Sequence, residues 1–252
     1  MKFVRFEKED QISYGLLHEN NEITKLEGTP FTTYSLTKET FKRESVKLLS
    51  PCVYTKALCI GLNYRDHAVE FGLPIPKTPM VFMKPPTASL NPQEEIVKPA
   101  MCQRLDYEGE MAIVIKKKAH NIKEEDVQDY ILGYTCANDV TARDLQPHDG
   151  QWTVAKGFDT FCPFGPYISD EVDPNNLKIS SILDGKVMQE SNTSNLIFSP
   201  SFLVSYLSQV MTLNPGDIIL TGTPSGISGM KKGATIEITI EGLGTLTNTI
   251  AR

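Results

Sequence analysis

In the stretch Asp106-Tyr107-Glu108-Gly109-Glu110-Met111, two glutamates stand two residues apart at the head of the apolar run MAIVI. In an extended strand, side chains at i and i+2 project to the same face, so Glu108 and Glu110 form a pair and Gly109 leaves the opposite face bare. Like charges held side by side repel unless a proton or a cation lies between them. A solvated acidic strand end is the plain reading of such a pair taken alone. A third carboxylate, Asp139, stands where the apolar run ILGYTCA gives way to polar sequence. Meeting Glu108 and Glu110, it would complete an all-oxygen site suited to Mg²⁺ or Mn²⁺, with positions open to water or a chelating substrate. The histidines are scattered and the cysteines lack C-x-x-C spacing, which argues against a zinc or iron–sulfur set.

Three further segments bear on the same chemistry. In Asn63-Tyr64-Arg65-Asp66-His67-Ala68-Val69-Glu70, a helix would make His67 and Glu70 neighbours at i and i+3, a general-base dyad in form, although such pairs are more often surface pairs. Lys156 in WTVAKGFD is a surface lysine if unsupported, and a partner for an enolate or oxyanion if it lies near a carboxylate-held metal. The turn Thr221-Gly222-Thr223-Pro224-Ser225-Gly226 offers hydroxyls and amides to a carboxylate, but it lacks the Lys-Ser/Thr of a phosphate loop.

The elements that must position these groups are mostly strands. KFVRFEK alternates, and ISYGLLHENNEITKL reads as two strands about a turn at His18 to Asn21. LCIGLNY, MVFMKPP, EGEMAIVIKK, ILGYTCANDV and GDIILTGTP read as further strands, and ATIEITIEGLGTLTNTIA as a hairpin. Asp184-Gly185 is the hairpin signal in SSILDGKVMQES. Helices are expected at DHAVEFG, at KEEDVQDY and at SPSFLVSYLSQVMTL, the last with Ser199 or Ser201 as cap and Phe202, Leu203, Tyr206, Val210 and Met211 on one apolar face. LPIPKTP holds three prolines in seven residues, so it reads as an exposed, semi-rigid loop and a candidate lid that brings the dyad to the metal when substrate binds. With no regular βαβ repeat, the fold class is α+β, β-rich, with a large mixed or antiparallel core. Ser50-Pro51 punctuates the chain, giving a small N-terminal β-rich domain over 1–52 and a larger domain over 53–252.

Composition bounds the partners. With 252 residues and a formal charge of −6, the chain has the makings of a sizeable core and no basic field for nucleic acid; Lys116 to Lys118 read as a solvated hairpin end. No apolar run is long enough to span a bilayer, and the first residues lack a signal-peptide pattern, so no membrane partner is expected. Five cysteines in apolar surroundings point to reduced core thiols and a cytoplasmic protein.

Taken in order, GLNYRDHAVE, FMKPPTASL, DYEGEMAIVI, GYTCANDVTARDLQ, GQWTVAKGFDTFCPFGP and LNPGDIILTGTPSG resemble the fumarylacetoacetate hydrolase family over about four-fifths of the chain, from Lys56 onward. The resemblance implies a mixed β-roll catalytic domain, Mg²⁺ or Mn²⁺ held by Glu108, Glu110 and Asp139, and a lid bearing His67 and Glu70. It makes Lys156 the cationic oxyanion partner and Arg143, Gln146, Thr223 and Lys84 candidate substrate contacts, in a homodimer. Members divide into C–C hydrolases of acylpyruvates, decarboxylases of oxaloacetate-like acids and isomerases of hydroxydienedioates. The expectation is a hydrolase or decarboxylase of a small 2-oxo acid, with an isomerase of the 2-hydroxyhepta-2,4-diene-1,7-dioate type as the alternative. A catalytically silent metal- or metabolite-binding protein on the same fold is the rival from another class. Pro147-His148-Asp149 departs from substrate-diagnostic sequences and leaves specificity open.

Overall fold

The computed structural model describes residues 1–252 apart from Phe71, Leu73, His148 and Asp149. The Phe71 end of the DHAVEFG segment, the first residue of the proline loop and most of the Pro147-His148-Asp149 stretch therefore lie outside the described residues.

Strands dominate, as expected. In the first quarter run β1 (Lys2–Lys8), β2 (Gln11–Leu17), β3 (Glu22–Gly28), β4 (Tyr34–Lys42), β5 (Lys47–Leu49) and β6 (Ala57–Gly61). After helix α1 (Arg65–Glu70) come β7 (Met80–Lys84), β8 (Ser89–Leu90), β9 (Glu95–Ile96), β10 (Leu105–Asp106), β11 (Gly109–Ile115), β12 (Ile131–Asn138) and β13 (Thr141–Ala142). Helix α2 (Thr153–Lys156) precedes β14 (Cys162–Ser169), β15 (Lys178–Leu183) and β16 (Lys186–Asn192), and α3 (Pro200–Val210) precedes β17 (Ile218–Leu220), β18 (Thr235–Ile240) and β19 (Gly244–Ile250). The large sheet runs β4-β3-β2-β1-β14-β12-β11-β17-β6-β7, and a second sheet runs β16-β15-β18-β19-β9. Most pairings are antiparallel; β17 with β6, β14 with β8 and β19 with β9 are parallel.

β11 and β12 form the middle of the molecule, and every residue of both is buried. Their near-continuous apolar sequence follows from having both faces covered. Alternation sorts the faces of β11: Met111, Ile113 and Ile115 join the core shared with the second sheet and α3, while Ala112 and Val114 join the one shared with Phe3, Cys59 and Phe164. Glu110 therefore shares the face of Ala112 and Val114, with Gly109 turned toward the second sheet.

The first fifty residues make a four-strand meander with its own small core of Val4, Phe6, Ile23, Val46 and Leu48. They are also stitched into the large sheet, since Lys2 and Phe3 of β1 pair with Ser169 and Ile168 of β14. The Asp184-Gly185 turn forms as the hairpin signal predicts, with φ of 49° and 78°.

Two helix expectations are corrected. KEEDVQDY is a 3₁₀ segment over Glu124–Tyr130 in which Val127 alone is buried, so it has no apolar stripe to hold an α-helix against the core. In α3 the cap is Ser199, whose Oγ accepts from the Phe202 amide at 3.2 Å. The buried stripe is Leu203, Val204 and Leu207, while Val210 is 60% exposed and Met211 is already extended. Phe202 and Tyr206 instead continue a stack begun by Phe198.

All five cysteines are free and buried. Burial pushes the Cys136 and Cys162 thiols up to about 12, which removes them as nucleophiles. Among the described residues no helix is long and apolar enough to cross a membrane.

Candidate active site

The antiparallel pairing of Gly109 with Asn138 sets the three acids together. Asn138 Oδ1 accepts from the Glu108 amide at 3.0 Å, and the Asp139 amide donates to the Glu108 carbonyl at 2.9 Å. Oxygens of Glu108, Glu110 and Asp139 then lie within 4.8 Å of one another, all three residues buried. The face opposite the pair is not bare, as the sequence suggests. A Cβ at Gly109 would stand 2.3 Å from Ser181 Oγ, and the Gly109 amide donates to Gln189 Oε1 at 3.0 Å. Glycine here lets the second sheet press directly on the strand that carries the acids.

Glu110 is oriented from the glycine-rich turn: the Gly222 amide donates to its Oε2 at 2.6 Å. Gly222 has φ of +95°, and a Cβ would meet Asn63 Cβ at 2.8 Å. The turn is held in place by Asn63, which donates to the Thr221 carbonyl at 2.8 Å and accepts from the Phe198 amide at 2.8 Å.

Three cations answer the acids. Lys156, at the end of α2 and buried, places Nζ 2.8 Å from both Glu108 Oε2 and Asp139 Oδ2. Lys84, also buried, pairs with Asp139 Oδ1 at 2.7 Å and donates to the carbonyls of Val140 at 3.0 Å and Lys156 at 2.7 Å. It is not among the residues lining the cavity, and its contacts brace Asp139 and the end of α2. Arg143 lines the cavity, but each of its nitrogens already donates to protein: Nε to Asp106 Oδ2 at 2.8 Å, Nη2 to Glu108 and Nη1 to Gln146. Asp106, fully buried, also accepts from Arg104 Nε at 2.9 Å.

The electrostatics are uneven across the acids. Burial disfavours the Glu108 charge, but Lys156 and Arg143 together outweigh it and hold the carboxyl well below the usual range. Glu110 goes the other way: burial, then the charges of Asp139 and Glu108, push its carboxyl well above the usual range. Burial alone would lower Lys156, yet Asp139 and Glu108 raise it. Glu110 is thus the acid whose charge the protein leaves least answered, and a hard divalent cation among these oxygens would answer it. The donor set fits Mg²⁺ or Mn²⁺.

Above this floor lies a cavity of 790 Å³ that His67 also lines. His67 Nδ1 is 3.0 Å from Glu70 Oε2, and Glu70 Oε1 accepts from the Gly226 amide at 3.1 Å. Asp66 Oδ2 accepts from Ser191 Oγ at 2.7 Å, and Arg65 donates to the Leu196 carbonyl at 2.7 Å, so α1 is docked on both the turn and the second sheet. His67 and the three acids line one cavity, with Glu70 held against His67 Nδ1.

Gln146 and Thr223 line it too, but the Thr223 hydroxyl donates to the Gly109 carbonyl at 2.9 Å and accepts from Gln189 Nε2 at 2.8 Å. It is a strut in the wall. Gln189 was not foreseen. It is buried, and besides Gly109 and Thr223 it bonds Ser181 Oγ at 2.7 Å and the Pro224 carbonyl at 2.8 Å, joining the second sheet to the acids and the turn. No sequence signal marks it; in the fold it is the buried residue of a strand whose other residues are exposed or half-buried. Asp106 was quoted in the motif without a role, although its spacing continues the alternation of Glu108 and Glu110.

Comparison with known proteins gives a consistent relationship. Residues 56–251 match the family model described as fumarylacetoacetate (FAA) hydrolase C-terminal, and residues 1–51 match one described as Rv2993c-like, N-terminal. A protein of Archaeoglobus fulgidus is 53% identical over 208 residues, covering 82% of this chain and 83% of its own. The mitochondrial oxaloacetate tautomerase Fahd2a of Rattus norvegicus is 42% identical over 220 residues, 82% of this chain and 70% of its own. The crystal structure of 2-hydroxyhepta-2,4-diene-1,7-dioate isomerase from Mycobacterium marinum superposes with a TM-score of 0.92 at 40% identity, covering 100% of this chain and 98% of that one.

Proposed function

The chain belongs to the fumarylacetoacetate hydrolase family, and from that premise we propose that it is a divalent-metal-dependent enzyme that cleaves a C–C bond of a small 2-oxo acid by hydrolysis or decarboxylation. The observation that carries the reading is the meeting of Glu108, Glu110 and Asp139 within 4.8 Å beneath a cavity that His67 shares. Glu108, Glu110 and Asp139 would hold Mg²⁺ or Mn²⁺, which would supply Lewis-acid stabilisation of negative charge developing on a 2-oxo acid.

The chain's own groups do the rest. Asp106, Glu108, Glu110 and Asp139 face Lys84, Arg104, Arg143 and Lys156, four acids against four cations, so a divalent ion held there would leave a positive surplus. That surplus draws an anionic acid into an acidic protein. Lys156, buried and kept protonated by Asp139 and Glu108, presents fixed positive charge to a developing oxyanion. Glu70 Oε2, 3.0 Å from His67 Nδ1, favours the tautomer with the proton on Nδ1 and the lone pair on Nε2. In hydrolysis His67 takes a proton from the water that attacks the distal carbonyl; decarboxylation needs no such water.

A second reading, proton relocation without bond cleavage, is favoured by the likeness to an oxaloacetate tautomerase and to a dioate isomerase. It uses the same acids and the same base. Assays of an acylpyruvate and of oxaloacetate with product mass analysis separate the two, because isomerisation and tautomerisation conserve mass. Turnover is expected to vanish with chelator and return with Mg²⁺ or Mn²⁺; chelator-resistant turnover, or full turnover in Glu108→Gln, overturns the metal reading. Metal binding without turnover across a panel of 2-oxo acids would instead mark a silent binding protein. We further propose a cytoplasmic homodimer, in keeping with five buried free thiols and the family; light scattering tests the dimer.

A further inference from the structure

His67 is held by an acid that is itself held by the backbone. Glu70 Oε2 lies 3.0 Å from His67 Nδ1, and Glu70 Oε1 accepts from the Gly226 amide at 3.1 Å. The position of Gly226 therefore bears on where the imidazole stands relative to the acids. Gly226 has φ of +97°, and a Cβ there would stand 2.1 Å from the carbonyl oxygen of Met188 in β16, so only glycine fits against the second sheet at this point. That contact limits movement on one side.

A second contact holds the other side. Tyr107, which separates Asp106 from Glu108 in the chain and is fully buried, donates its hydroxyl to the Gly226 carbonyl at 2.7 Å, and the same oxygen lies 3.0 Å from Ser228 Oγ. Gly226 thus has Tyr107 on its carbonyl and Glu70 on its amide. Three hydrogen bonds in series run from the segment that carries Glu108 to the ring of His67.

The neighbouring ties show that this segment and the glycine-rich turn are fastened along their length. The Met230 amide donates to the Leu105 carbonyl at 2.7 Å, Asp106 bridges to Gly229, and the Gly222 amide donates to Glu110. Of these ties, the Tyr107 hydroxyl falls on the residue to which Glu70 is bonded. The Tyr107 ring packs in the core with Met111, a role that a phenylalanine would fill equally well. A buried hydroxyl is tolerated only where it is bonded, so its presence is explained by Gly226 and Ser228 rather than by packing.

We propose that Tyr107 is a positioning residue for the base: its hydroxyl fixes Gly226, and through Gly226 and Glu70 it keeps the His67 ring in register with the three acids. It acts through other residues and not on the substrate. The assignment rests on the reading of His67 as the base.

The test is Tyr107→Phe, alone and combined with Glu70→Ala, in the full chain with Mg²⁺ present. Loss of one buried hydrogen bond that acts on the base should lower kcat about three- to tenfold, with KM and the calorimetric affinity for Mg²⁺ unchanged. Because the effect passes through Glu70, adding Tyr107→Phe to Glu70→Ala should cost less than about twofold more. A readout free of turnover is the ¹⁵N spectrum of the His67 ring, assigned with His67→Ala. The wild type should carry its proton on Nδ1, and Tyr107→Phe should shift both nitrogens as the Nε2–H tautomer gains population. Ser228→Ala, which keeps the bond to Gly226, should leave kcat within about twofold and decides the matter if Tyr107→Phe folds poorly: a tenfold loss there overturns the route through Gly226. Wild-type kcat in Tyr107→Phe, an equal loss with and without Glu70, or weakened Mg²⁺ binding also overturns the proposal. A wild-type protein that binds Mg²⁺ but turns over no 2-oxo acid sinks the enzymatic reading instead, and unchanged His67 nitrogens in Tyr107→Phe then overturn the positioning separately.

Discussion

Glu108 lines the cavity and Glu70 braces the His67 that lines it, and the protein holds the two acids by different means. Glu108 is buried between Lys156 and Arg143, at the head of a strand buried along its whole length. Glu70 ends a six-residue helix, its side chain 36% exposed, and holds His67 and the Gly226 amide where water can compete for both. A buried charge that loses its partner cannot be rescued by solvent, whereas one at the rim can. The floor should therefore fail as a unit in folding and chemistry together, and the rim should fail in chemistry with little cost to folding.

The largest effect should follow Glu108→Gln, which strips a partner from both Lys156 and Arg143. Denaturant unfolding is expected to show a loss of about 3 to 5 kcal/mol, and turnover of a 2-oxo acid to fall by about a hundredfold or more. Next comes Lys84→Met, which leaves the cavity lining intact but removes the brace behind Asp139. A loss of about 3 kcal/mol is expected, with weaker Mg²⁺ binding by calorimetry. A raised KM at unchanged stability would instead return Lys84 to the substrate contacts.

At the rim, Glu70→Gln should lower kcat by about ten- to a hundredfold while stability moves by less than about 1 kcal/mol. A stability loss matching that of Glu108→Gln would break the distinction between the two regions. The smallest effect concerns Asp144, an exposed rim carboxylate that the Arg104 and Gln103 amides hold below the usual range. A folded value below the unfolded one means the contact is at full strength above the unfolded value and is lost as pH falls through the folded one. Protection of those two amides from exchange, followed by NMR, should persist at neutral pH and decline only below roughly pH 4.

The motifs gave away the acids because strand alternation and an apolar run are local properties. Glu108 and Glu110 declare their common face by spacing, and Asp139 its place by the end of ILGYTCA. Likewise the meander, the Asp184-Gly185 hairpin and the Ser199 cap are written in neighbouring residues. What each long side chain touches is not local. That Asp106 holds Arg143 and Asp139 holds Lys84 is visible only in the folded chain. Gln189 lies some eighty residues from Gly109, in a hairpin with no motif, and only the packing of the second sheet shows its work. The face of α3 was misjudged for the same reason: amphipathic spacing admits neighbouring stripes, and the surface it packs on chooses among them.

The position of β17 carries a consequence for how the molecule comes into being. Among the described residues β6 and β7 join the large sheet only through β17, with Ala57 to Cys59 pairing parallel to Ile218 to Leu220. On a ribosome, the β11–β12 hairpin and its acids emerge roughly eighty residues before β17 does. Until then Lys84 has no sheet to deliver it to Asp139, and α1, which follows β6, has no turn at Gly226 to dock on. Pairings so distant in sequence are slow to form and leave early segments exposed. The chain therefore makes its acids first and encloses them last, so that a truncated product carries the charges without the pocket that would put them to use.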